Sequence, residues 1–377
     1  MTFAIRVLSL AFIFGIIFTW PLWLNERGFP LAPVQALPNL TPFISVLFIS
    51  AILLLLGLLI LFPENQKFLV VIFILAIVEA LYDQNRWQPW FYQYLLMLFL
   101  LLFYKKGTEK KNGNEEIILN GFRLIVCGIY FWSGIQKFNP DFFDSTCYWL
   151  TEPLGKYFGS SFAHLTGSAV KIIPVVEIFI AFGLMIQRTR KIAVFMAIAM
   201  HVYIILLTTP LGWNYNYAIL PWNLAMITFL LLLFRNSVNV SLKIVLNTIR
   251  TKYVLPVFIL TWIMPAFSLF AKWDSYLSAS LYSGNSDNAY IYISKKINDS
   301  LPPYLKEKVH VQKDTLYYLY VNEWAMETMH VPAYPETHVF QTGKKEVLKY
   351  AIDSNEVIMM VRRKSTWLMK SYYIYVK

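Results

Sequence analysis

The sequence predicts an all-α polytopic membrane bundle carrying a small mixed or β-rich domain outside the membrane. Three observations predict it. The 377 residues are 57% hydrophobic and only 15% charged, whereas soluble domains carry roughly a quarter charged residues. Apolar runs near the ~20 residues that cross a bilayer recur as far as residue 271. From residue 272 charges become common, and the apolar runs shrink to strand length.

The expected spans are 4–23, 41–62, 67–82, 90–104, 116–136, 166–186, 191–209, 217–234 and 251–271. The third and fourth are short enough to form one hairpin, so the count is nine or eight. The first follows a signal-like charge, but no small-x-small cleavage site precedes Pro21, and it reads as a retained span. Basic residues then orient the bundle. Arg6, the segment KKGTEKK (105–111), RTRK (188–191) and the group Arg235, Lys243, Arg250 and Lys252 all fall inside if the N-terminus is cytoplasmic. The domain 272–377 then lies on the outer face. Its runs AYIYIS (289–294), TLYYLYV (315–321), EVIMMVRR (356–363) and WLMKSYYIYV (367–376) are expected strands.

The net charge of +11 would suggest nucleic acid in a soluble chain. Here the short inner loops account for it, and nucleic-acid binding is excluded as a class. Cys127 lies in an apolar run and Cys147 in the loop beyond, with no CxxC pattern; no metal site is legible.

An ionisable group inside a span costs about 2.5–3.5 kcal/mol on insertion scales, so each one needs a reason. Glu79, Arg123, Lys137, Lys171, Glu177 and His201 are such groups, and Asn223 is a polar neighbour. Lys137, the loop DQNRWQPW (83–90), Asp141 and the turn GWNYN (212–216) all meet the outer face, as a pocket opening outward requires. Each also has a structural reading. Lys137 can snorkel to headgroups, Glu177 can pair with a neighbouring cation, His201 can be a packed histidine, and the tryptophans can form an interfacial belt.

The segment YFWSGIQKFNPDFF (130–143) resembles the aromatic-Gly-x-x-Lys segment of the vitamin K-dependent γ-glutamyl carboxylase and its bacterial carboxylase-like (HTTM) relatives. The blocks 175–207 and 211–226 are similar to the family's acidic span, basic turn, histidine span and polar-aromatic turn. The likeness covers about residues 1–235, and a weaker one exists to DoxX-type membrane proteins. It implies an HTTM transmembrane domain over 1–271 in a bacterial inner (cytoplasmic) membrane. It implies Lys137 as a base, with Glu177 and His201 as catalytic partners. A reduced, vitamin K-like quinone would be the cofactor or substrate. Arg86, Trp90, Asp141, Trp213, Asn216, Trp222 and Asn223 are the expected substrate-binding set. This chain departs from the family at Trp87-Gln88-Pro89-Trp90, where a histidine would stand, and in its outer domain. Glutamate carboxylation is therefore not the expected reaction; acid–base chemistry on a lipid-soluble substrate is. The alternative is a non-catalytic lipid-binding or scaffold protein whose outer domain docks a partner. The partners expected are the bilayer and an isoprenoid quinone or other lipid.

Overall fold

A computed structural model describes residues 1–35, 41–107, 113–235, 241–313, 315–366 and 369–376. Lys110 and Lys111 of the inner loop and Trp367 of the last expected strand lie outside the described residues.

Long helices occupy Thr2–Phe18, Pro42–Leu61, Gln66–Tyr82, Pro89–Leu101, Glu115–Gln136, Arg190–Thr208 and Ile219–Phe234. Their starts follow local rules. Proline opens Pro42–Leu61 and Pro89–Leu101, where its missing N–H costs nothing. The Asn65 side chain accepts from the backbone N–H groups of Lys67 and Phe68. Glu115 and Glu116 fill the first turn of Glu115–Gln136 and Lys137 follows its last turn, both favourable to the helix dipole.

By length and composition, Pro42–Leu61, Glu115–Gln136 and Arg190–Thr208 can cross a membrane; Ser160–Val170 with Ile173–Gly183 makes a fourth if that pair is one span. The expected nine or eight spans are thus not confirmed among the described residues, where the remaining apolar helices are shorter. The sixth expected span breaks at 171–172 with a 47° bend, because Pro174 begins a new helix and cannot continue the old one. The ninth holds one helical turn, Val254–Phe258, and then passes through wide turns into tight ones ending at Phe270. Pro265 opens the tight stretch Met264–Phe270, whereas Pro256 lies within the first turn, where proline is tolerated. Large apolar side chains on the outside, including Leu54, Leu165 and Phe195, suit lipid rather than water.

The C-terminal part holds a five-stranded antiparallel sheet of β1 Asn288–Ile293, β2 Val309–Gln312, β3 Leu316–Tyr320, β4 Val357–Arg363 and β5 Tyr372–Val376. Its strand order is β2-β3-β1-β4-β5. Ala289, Ile291 and Ile293 alternate inward on β1, as Val357, Met359 and Val361 do on β4. Helices Val321–Met329 and Thr337–Leu348 cover that face with Trp324, Phe340 and Val347. The sheet is fastened to loops at one end of the bundle. Trp324 Nε1 donates to Gly28 O at 2.8 Å, Tyr334 N to Asn85 Oδ1 at 3.0 Å, and Asn139 Nδ2 to Ser283 O at 3.0 Å. One continuous apolar core runs from the bundle into the sheet.

Candidate functional site

Helical spacing puts Tyr130, Ser133 and Lys137 on one face of Glu115–Gln136 and its last turn, at i, i+3 and i+7. Gly134 lies between them and sets a close approach. A Cβ there would stand 2.7 Å from Pro174 O and 3.2 Å from Glu177 Cβ, so only glycine lets Ile173–Gly183 come so near. That approach delivers Glu177 to Lys137. The lysine Nζ lies 2.8 and 3.0 Å from the two carboxylate oxygens and donates to Ser133 Oγ at 2.7 Å. Ser133 in turn donates to Glu177 at 3.2 Å. Lys137 is 3% exposed and Glu177 4%, so the ammonium does not snorkel to headgroup water.

A second polar chain crosses three helices. Tyr130 OH lies 2.6 Å from His201 Nε2, and His201 Nδ1 lies 2.7 Å from Asn223 Oδ1. Because Asn223 Nδ2 donates to Ile219 O, its oxygen faces the ring. The network therefore assigns the proton to Nδ1 and leaves Nε2 to accept from the tyrosine.

Both chains face one cavity of about 110 Å³, walled by Ile129, Val170, Ile173, Met200, Trp222 and Leu281 among others. A cavity of ~150 Å³ in another protein accepts benzene, so this one is sized for about one small ring. Polar atoms sit on its wall as two separate groups in otherwise apolar surroundings. Among the described residues no group of three His, Cys, Asp or Glu is arranged for a metal ion. Both cysteines are buried and free.

Of the sequence-expected residues, Lys137, Glu177, His201, Trp222 and Asn223 line this cavity. The others do not, each for a visible reason. Arg86 is fully buried elsewhere and spends its donors on Glu79 and on the carbonyls of Leu22, Trp23 and Glu79. Asp141 pairs with Arg362 of β4. Trp213 stacks on Trp149 with ring centres 5.4 Å apart and donates to Trp149 O at 3.1 Å. Trp90 packs among Phe12, Trp23 and Tyr94. Trp90 and Asn216 line a second cavity nearer the sheet. Tyr130, Ser133 and Tyr282 were not singled out by sequence. The first two carry a readable signal, their helical spacing from Lys137; Tyr282 comes from the segment leading into β1 and carries none.

A family described as a transmembrane protein of unknown function (DUF3556) matches residues 155–362, more than half of the chain. The chain belongs to that family. The match takes in Glu177, His201, Asn223 and strands β1 to β3 and nearly all of β4, and it begins after Lys137. It establishes a membrane protein family but does not carry the carboxylase-like identity that the resemblance implied. Neither the curated proteins nor the solved structures compared with the chain gave a match.

Proposed function

We propose that the chain is a membrane enzyme performing acid–base chemistry on a lipid-soluble, ring-bearing substrate, a reduced quinone being the class that fits best. One observation carries the reading: a buried Lys137–Glu177 pair borders a ring-sized apolar cavity that also receives the Tyr130–His201–Asn223 chain. Aromatic and aliphatic walls suit the ring, and the bilayer suits an isoprenoid tail. A reduced quinone bound there would supply an acidic ring hydroxyl.

The proton count shapes the roles. Lys137 Nζ has both Glu177 carboxylate oxygens and Ser133 Oγ within 3.0 Å, so in its ammonium form it directs its hydrogens at them and carries no lone pair. It becomes a base only by first handing a proton to Glu177. Alternatively Glu177 takes the substrate proton directly. Both orders end in the same state, an ammonium beside a neutral carboxylic acid and the substrate anion. The pair is thus the base, and Lys137 holds the positive charge against the anion. Tyr130 can accept a hydrogen bond from a second ring hydroxyl and pass its own proton on to His201 Nε2. The low-dielectric surroundings strengthen each of these contacts.

The test is lipid extraction of the purified protein followed by mass spectrometry. An isoprenoid quinone is expected in the wild type and absent from Lys137→Met/Glu177→Gln, which removes both charges together. The absence of any bound lipid in the wild type, or equal retention by the variant, would count against the proposal. Retention with unchanged affinity would favour the lipid-binding or scaffold alternative.

A further inference from the structure

Where the last turn of Glu115–Gln136 meets the loop between β4 and β5, the chain leaves a cavity of about 210 Å³. One water needs only ~10–15 Å³. Two unlike walls enclose it. Ile135, Phe138 and Leu269 form the apolar one; Phe138 is 48% exposed, and Leu269 stands between the exposed rings of Phe267 and Phe270. Gln136, Asn139, Asn285, Ser365 and Lys370 form the polar one. The place is a membrane boundary. The 22 residues of Glu115–Gln136 rise about 33 Å, close to the ~30 Å of hydrocarbon, so Gln136 lies where acyl chains give way to headgroups.

The polar wall is held in place, and two of its groups are left over. Asn285 Nδ2 donates to Ser365 O at 3.0 Å, while Ser365 N and Oγ donate back to Asn285 Oδ1 at 2.7 and 2.8 Å. Asn139 Nδ2 donates to Gln136 O at 2.8 Å. Gln136 is 4% exposed, and its Nε2 donates to Ser268 Oγ at 2.8 Å. Its Oε1 accepts from no described group, yet it keeps accessible surface. Lys370 is exposed and pairs with no carboxylate among the described residues. No Asp or Glu is among the described lining residues, and Asp141, beside the lining Pro140, is already paired with Arg362. A spare acceptor and an uncompensated cation in one cavity suit a ligand that brings both a donor and an anion.

We propose that this cavity holds a phospholipid headgroup. The phosphate meets Lys370 Nζ, a headgroup donor such as the ethanolamine ammonium meets Gln136 Oε1, and the acyl chains lie on Phe138 and Leu269. The site does not depend on the chemistry assigned to Lys137. The experiment is native mass spectrometry of the full chain in neutral detergent, titrated with dioleoyl phosphatidylethanolamine, dioleoyl phosphatidylcholine and dioleoylglycerol. One copy of the ethanolamine lipid should bind about ten-fold tighter than the choline lipid, which has the same charge but no headgroup donor. Dioleoylglycerol should bind most weakly. Lys370→Ala should weaken both phospholipids about three-fold, as suits an exposed ion pair. Gln136→Met should bring the ethanolamine lipid down to the choline lipid and leave the choline lipid unchanged. Phosphoethanolamine at equal concentration should displace neither. Equal binding of all three lipids would mean annular contact only and would overturn the proposal, as would unchanged affinity for the ethanolamine lipid in either variant. Displacement by phosphoethanolamine would make the ligand a soluble phosphate ester and overturn the lipid assignment.

Discussion

Two buried ion pairs in this molecule look alike in sequence and differ in situation. Glu79 and Arg86 are both fully buried, and the guanidinium also reaches the carbonyls of Leu22 and Trp23 and lies 5.6 Å from the Trp23 ring. Arg27 and Asp83 close the same knot at 2.5 Å. This cluster ties the exit of the first helix to that of the third and borders neither cavity. Lys137 and Glu177 are equally dry, yet one side of their pair faces open space sized for a ring. A buried pair enclosed by protein holds loops together. A buried pair at a cavity wall can meet a second molecule.

The contrast predicts the largest effect at the enclosed pair. Arg86→Met should cost about 3–5 kcal/mol by stranding Glu79 in the interior, read as loss of the thermal transition or of monodisperse protein. Survival of Arg86→Met at wild-type stability would place Arg86 outside the structural role given to it. Next comes the packing that builds the other pair. Gly134→Val must push Pro174 and Glu177 away, and a cost of about 1–3 kcal/mol is expected, with loss of bound quinone. An unchanged melting temperature would show that the helices tolerate separation.

The C-terminal sheet and its covering helices sharpen the comparison through pH. Burial, with repulsion from Asp274 and Asp287, raises the Glu336 carboxyl to about 7. Its folded value exceeds its unfolded value of 4.5, so the folded state binds the proton more tightly. The stability it contributes is full below 4.5 and declines as pH rises towards 7. Glu336→Gln should therefore flatten that decline, a difference on the order of 2 kcal/mol at pH 8 after allowance for partial solvent screening. Melting curves between pH 4 and 8 would check it, and parallel curves for both proteins would refute it. The smallest effect is expected at Tyr130→Phe, about 1 kcal/mol for a single hydrogen bond. Its more informative readout is a changed imidazole signal for His201 by NMR.

Much of the helix placement was legible because apolar runs have a length scale that the bilayer and the helix share. The breaks were harder. Pro174 and Pro265 were visible, but whether a proline ends a span or merely kinks it depends on what packs beside it. In the C-terminal sheet, the strands with alternating aromatic and β-branched residues could be read. The short polar strand Val309–Gln312 and the two amphipathic helices covering the sheet could not, because each is brief and half polar. Within the site, Lys137, Glu177, His201 and Asn223 were named from their cost in a membrane and from the family likeness. Their pairing was not legible, since it depends on Gly134 letting two helices close on each other. That Arg86 lies away from this cavity was not legible for the converse reason. Sequence showed a polar loop at the outer face, but not that Glu79 turns inward beneath it.

The central claim is that the Lys137–Glu177 pair exists to meet a ligand and not to hold the bundle. Thermal unfolding of Lys137→Met/Glu177→Gln, with and without a short-chain reduced benzoquinone, tests it directly. The account predicts a midpoint near that of the ligand-free wild type, and no rise on adding the quinol where the wild type rises. A variant that collapses as Arg86→Met does, or that is stabilised by the quinol as fully as the wild type, would contradict it.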